Sequence, residues 1–185
     1  TGGFTQVLLE HDASRVLAVD VGYGQLAWSV RSDQRVVVLE RTNVRTLTAQ
    51  ALPFRPSLVV ADLSFIPLEL VLPALVGVLE PDLDADLLLM VKPQFEVGRA
   101  AVGDGGERDA ALRVGSVLQV AEAAISLGLA VRAVAASPLP GPRGNVEYFV
   151  WLRRPAAGMI GRPPSGLVGA GLVEAIEQAV REGPR

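Results

Sequence analysis

Leu87-Leu88-Leu89-Met90-Val91-Lys92-Pro93 is an apolar run of five residues closed by a lysine and a proline. An unbroken run of this kind reads as a strand covered on both faces, as in a parallel sheet. Pro93 stops the strand and disfavours helix at Lys92. Upstream, similar runs stand at Ser57-Leu58-Val59-Val60-Ala61, Val36-Val37-Val38-Leu39 and Val16-Leu17-Ala18-Val19-Asp20. Downstream, two further strands are expected at Ala130-Val131-Arg132-Ala133-Val134 and Tyr148-Phe149-Val150-Trp151-Leu152.

Helical patterns fill the intervals. They cover Thr5–Glu10, a short Gly24–Val30, Ile66–Leu79 with Pro67 near its start, Asp109–Leu127 ended by Gly128, and a terminal Leu172–Arg181. Proline in a first helical turn costs no hydrogen bond, and glycine is the common residue just past a helix. Strands alternating with helices predict an α/β fold with a doubly wound, mostly parallel sheet. Residues 1–155 form the expected core, 156–171 a Gly/Pro-rich linker and 172–185 a C-terminal helix. Gly98–Glu107, rich in glycine and charge, reads as a loop.

Half of the 185 residues are hydrophobic and 20% are charged, a composition that builds a packed core. Without cysteine there is no disulfide or thiolate metal site, and a reducing cytoplasm fits. No run approaches the roughly 20 apolar residues that cross a bilayer, and none is cationic and amphipathic enough to lie on one. A net charge of −3 argues against a stand-alone nucleic-acid binder, since phosphate contacts need clustered cations. The single histidine, His11, beside Asp12 at a helix end, reads as solvated rather than catalytic. No metal site is expected.

Four segments carry candidate chemistry. Thr1-Gly2-Gly3-Phe4-Thr5 is a glycine turn where backbone can approach a nucleotide-like ligand. Asp20, ending the next strand, can accept both ribose hydroxyls of such a ligand. The full dinucleotide fingerprint is not displayed, so these residues alone leave the choice between NAD and another adenosine cofactor open. Asp62 directly follows a buried strand, at the sheet edge where open α/β folds bind ligands, although it could equally cap the next helix. Lys92 stands at the same edge, although a strand-end lysine can also simply reach water. Glu147 opens the last strand after the turn-rich Pro140-Gly141-Pro142-Arg143-Gly144-Asn145. If that strand runs antiparallel, Glu147 faces Asp62 and Lys92. Taken alone, Glu147 reads as a surface residue.

Together and in this order these segments resemble one family. The motifs are Thr1-Gly2-Gly3-Phe4-Thr5, Val19-Asp20-Val21-Gly22-Tyr23-Gly24-Gln25-Leu26-Ala27-Trp28, Glu40-Arg41-Thr42-Asn43, Ala61-Asp62-Leu63-Ser64-Phe65, Val91-Lys92-Pro93-Gln94-Phe95-Glu96-Val97-Gly98, and Ser137–Pro142 through Gly144–Tyr148. They are similar to the TlyA (hemolysin A-type) ribosomal RNA methyltransferases of the FtsJ-like group, over nearly the whole chain up to Arg153. The resemblance implies a Rossmann-like class I methyltransferase fold, S-adenosyl-L-methionine as cofactor, and methylation of a cytidine ribose 2′-hydroxyl in ribosomal RNA. It implies a Lys-Asp-Lys-Glu catalytic set, whose last three members match Asp62, Lys92 and Glu147. Thr1, Gly2, Gly3, Phe4, Asp20, Val21, Asn43 and Asp62 are carried over as cofactor neighbours.

The chain starts in mid-motif and without methionine. The resemblance implies that the first lysine, the first strand of the sheet and an S4-like RNA-binding domain lie upstream of Thr1. That domain would supply the cations this chain lacks for its partner, ribosomal RNA or a ribosomal subunit. Residues 1–185 alone are expected to be inactive. A small-molecule O-methyltransferase and an inactive cofactor-binding module are the competing readings.

Overall fold

The computed structural model describes residues 2–96, 110–141, 144–157 and 165–184. The loop expected at Gly98–Glu107 lies outside them, as does Thr1. All six expected strands form: β1 (Val16–Val19), β2 (Val36–Leu39), β3 (Leu58–Ala61), β4 (Ala85–Val91), β5 (Ala130–Ala136) and β6 (Tyr148–Arg154). Among the described residues β1 and β2 pair in parallel as one sheet, and the other four make a second sheet in the order β3-β4-β6-β5. β3 is parallel to β4, whereas β6 is antiparallel to both β4 and β5. The sheet is therefore mixed, with β6 alone reversed.

The strand faces are less symmetrical than the apolar runs suggest. β4 alternates between buried and half-buried residues. Ala85, Leu87, Leu89 and Val91 join Val150 and Leu152 in one core. Helices α3 (Leu72–Val78), α5 (Ala110–Ser126) and α6 (Gly169–Glu182) cover that face with Leu72, Leu75, Val117, Val120, Leu172 and Ile176. On the other face α1 (Gly3–Glu10) brings Phe4 edge-on to Phe149, ring centroids 6.3 Å apart. Leu58, Leu88 and Trp151 line an open hollow of about 440 Å³ beside it.

Two helices differ from expectation. In place of a helix at Gly24–Val30, bends run to Ala27 and a single turn, α2, spans Trp28–Arg31. Gly24 is left-handed, at φ 69°, and its amide donates to Glu40, so the backbone is committed to a loop. The helix expected over Ile66–Leu79 is a 3₁₀ turn at Leu68–Leu70 followed by α3. Pro73 lies in the first turn of α3; lacking an N–H, it fits there but not further inside a helix. A short helix that the sequence reading did not place, α4 (Pro93–Glu96), follows β4 at once. Pro93 stops the strand and starts this turn. The helix expected from Leu172 begins at Gly169, and just before it Leu167 N–H donates to Val131 O on β5.

Candidate active site

Register alone brings two of the candidate side chains together. The last antiparallel pair of β4 and β6 is Val91↔Tyr148, so Lys92 and Glu147 are the next residues along each strand. β3 ends at Ala61 beside Leu89, which delivers Asp62 to the same rim. Lys92 Nζ lies 2.6 Å from Asp62 Oδ1 and 3.8 Å from Glu147 Oε1. It also donates to Ser64 Oγ at 3.3 Å. The lysine and Glu147 side chains are 11% and 9% exposed, whereas Asp62 is 47% exposed. The arrangement is an ammonium paired closely with a solvent-facing acid and more loosely with a buried one. Such a group can donate a hydrogen bond to an oxygen that is becoming negative.

Backbone hydrogen bonds hold the residues around Glu147. Gly141 N–H donates to Asn145 O, and Ser137 N–H donates to Glu147 O. A Cβ on Gly141 would stand 2.7 Å from Glu147 Oε1, closer than such atoms approach, so a side chain there would push the Glu147 carboxylate aside. Ser64 and Gly141 lie inside motifs already singled out, but no local pattern marks their contacts. Phe65 ends the motif that holds Ser64. It is 89% exposed, adopts φ 65°, and rests against Phe95 with ring centroids 5.0 Å apart. Left-handed backbone is rare for a bulky residue, and such strain gathers at functional sites.

Glu96 is a second buried acid of the neighbourhood, 8% exposed, beside Glu147 at 7%. Both of its carboxylate oxygens lie 3.1 Å from Leu68 N. Burial pushes its carboxyl up to about 7, against the pull of the Leu68 amide, and the nearby Glu69 adds to the rise.

Of the candidate cofactor residues, Gly2, Gly3 and Phe4 open α1, Asp20 and Val21 follow β1, Asn43 follows β2 and Asp62 follows β3. Gly2 caps α1 with φ 98°, and a Cβ there would meet Leu26 Cδ1 at 2.7 Å. A Cβ on Gly3 would meet nothing within 4 Å, so the start of α1 is open. Phe4 points to the sheet, against Phe149. Asp20 is exposed; one of its oxygens takes Gly22 N–H at 2.7 Å. Val21 is exposed beside it. Asn43 uses its side-chain oxygen to cap a short 3₁₀ turn, accepting from Arg45 N–H. Glu40 accepts from Gly24 N–H and from Arg31 Nη1, both at 2.7 Å, and the Arg31 guanidinium holds its carboxyl below the usual range. An exposed carboxylate, an exposed valine and an open helix start fit the ribose, adenine and backbone contacts of an adenosine-bearing cofactor. Among the described residues no group of acids and histidine is arranged to hold a metal ion, and no helix is long and apolar enough to cross a membrane.

Fold and rim together define an α/β protein of the methyltransferase type, with a lysine between two acids where the central strands end. Residues 1–154 match the FtsJ-like methyltransferases, and the chain belongs to that family. It is 57% identical over 185 residues to the 16S/23S rRNA (cytidine-2′-O)-methyltransferase TlyA of Mycobacterium tuberculosis. All of this chain is matched there, and it spans 66% of that protein's length. Two solved structures that carry the designation hemolysin are also similar. One, from Streptococcus thermophilus, has 36% identity and a TM-score of 0.86, covering 98% of this chain and 64% of its own. The other, from Lactococcus lactis, has 39% identity and a TM-score of 0.83, covering 98% and 84%.

Proposed function

We propose that this chain is the catalytic portion of an S-adenosylmethionine-dependent enzyme that methylates the ribose 2′-hydroxyl of a cytidine in ribosomal RNA, working in the cytoplasm on RNA or a ribosomal subunit. One observation carries this reading: Lys92 stands between Asp62 and Glu147 at the strand-end rim. The relationship to the M. tuberculosis enzyme supports the substrate.

Gly2, Gly3 and Phe4 at the start of α1, with Asp20 and Val21, would hold the cofactor, and Asn43 and Asp62 border it. When bound, S-adenosylmethionine supplies a methyl group on a positive sulfur, a good electrophile. A ribose hydroxyl is a poor nucleophile until its proton is leaving, so the protein's task is alignment and stabilisation of the developing alkoxide. Lys92 donates to the attacking oxygen. Glu147, nearly buried, fixes the ammonium in place, and Asp62, the acid open to solvent, or water takes the proton. Phe65 offers an exposed ring on which a base beside the target ribose can stack.

In the full-length protein Lys92→Ala is expected to abolish methyl transfer while cofactor affinity, read by calorimetry, stays nearly intact. Lys92→Arg should fail too, because a planar fork does not replace a compact ammonium. Normal turnover by Lys92→Ala sinks the reading.

A further inference from the structure

Four residues after Lys92, Glu96 buries a carboxyl whose only hydrogen-bond partner among the described residues is the Leu68 amide. An acid withdrawn from water for one backbone N–H is an expensive choice of residue. Its location gives it a use. The segment Asp62–Leu68 is gripped three times by α4 and the residue before it. Lys92 meets Asp62 and Ser64 at one end, Phe95 packs on Phe65 in the middle, and Glu96 takes Leu68 N–H at the far end. The gripped loop contains Phe65 in left-handed backbone, a conformation that bulky residues seldom hold unaided. A loop that must be held in place needs an anchor at the end remote from the lysine.

We propose that Glu96 is a positioning residue of this site: through Leu68 it pins the Asp62–Leu68 loop so that Asp62 and Ser64 meet the Lys92 ammonium. The inference rests on the reading of Lys92 as the residue beside the attacking oxygen. Glu96 itself touches none of the reacting groups. It acts on the rate of the chemical step through the geometry of its neighbours.

The test uses the full-length enzyme with ribosomal RNA and two variants. Glu96→Met fills the space without an acceptor, and Glu96→Gln keeps one carbonyl oxygen for Leu68 N–H. The expected result for Glu96→Met is a kcat lowered about 30-fold or more, with KM for RNA and Kd for the cofactor within about 3-fold of wild type, because a small misplacement costs rate rather than binding. Glu96→Gln is expected to restore kcat to within about 5-fold of wild type. A Glu96→Met enzyme with unchanged kcat overturns the proposal. So does one that binds neither cofactor nor RNA, since Glu96 would then serve folding alone. If the wild-type enzyme methylates no ribose hydroxyl, the underlying reading fails instead. The positioning claim is then decided by a crystal structure of Glu96→Met: an Asp62–Lys92 separation beyond 4 Å upholds it, and a retained ion pair at 2.6 Å ends it.

Discussion

Raising the pH from 4.5 to 8 is expected to cost this protein about 3 kcal/mol at Glu96 alone. The carboxyl ionises near 4.5 in an unfolded chain and near 7 in the folded one, because burial penalises the charge more than the Leu68 amide relieves it. At about 1.4 kcal/mol per pH unit, that gap amounts to roughly 3 kcal/mol. The folded state binds the extra proton, so its advantage is complete below 4.5 and declines as the pH climbs through about 7. Glu96→Gln carries no ionisable group at this position and lacks the decline. Urea unfolding of wild type and variant at half-unit pH steps isolates the effect, since every other titrating group is common to both. The stability difference should move by about 3 kcal/mol in favour of the variant between pH 4.5 and 8. Parallel stability curves would mean that Glu96 ionises alike in both states, and the assignment of a buried acid at this position would be wrong.

Gly141→Ala forces a Cβ against Glu147 Oε1 and is expected to slow single-turnover methylation at least about tenfold with cofactor affinity unchanged; an unaltered rate refutes the tight fit around Glu147. Phe65→Ala removes a ring that is almost wholly in solvent, so unfolding free energy should stay within about 0.5 kcal/mol of wild type. RNA binding at fixed salt, measured on filters, should weaken by about 1–3 kcal/mol, and equal affinity would remove the stacking role. Asp86→Ala deletes the acceptor of Trp151 Nε1 and of the paired Arg153 bonds, lowering stability at pH 7 by about 1–3 kcal/mol. The Arg153 bond, with help from Trp151, holds the Asp86 carboxyl below its usual range, so this contribution should be present at neutral pH and fade on acidification through that lowered value.

The strands were legible because each is a dense apolar run, and the rim was legible because Asp62 and Lys92 sit where such runs stop. Glu147 was legible only conditionally, since its meeting with Lys92 depends on β6 running antiparallel, a relation that no stretch of sequence encodes by itself. The continuous apolar runs overstated coverage: α3, α5 and α6 bury one face of the four-stranded sheet, while Leu58 and Trp151 remain open on the other. Pro73 and the loop around Gly24 broke helices that periodicity alone would extend, because a missing N–H and a left-handed residue decide locally. Ser64 and Glu96 acquire their contacts only when loops distant in sequence close on one another, and Gly141 meets Glu147 only through the fold of their shared loop. Their residue types are ordinary, so the sequence carried no signal for them.

Among the described residues β6 is the last strand in chain order, yet it lies in the interior of its sheet, wedged between β4 and β5. Until it slides in, β5 has no partner to join it to β4, and the lysine rim lacks its buried acid. A growing polypeptide therefore cannot bring Glu147 to Lys92 before this strand is made. The acid and the lysine meet in the same event that closes the sheet, and any lesion that keeps this strand from inserting undoes both at once.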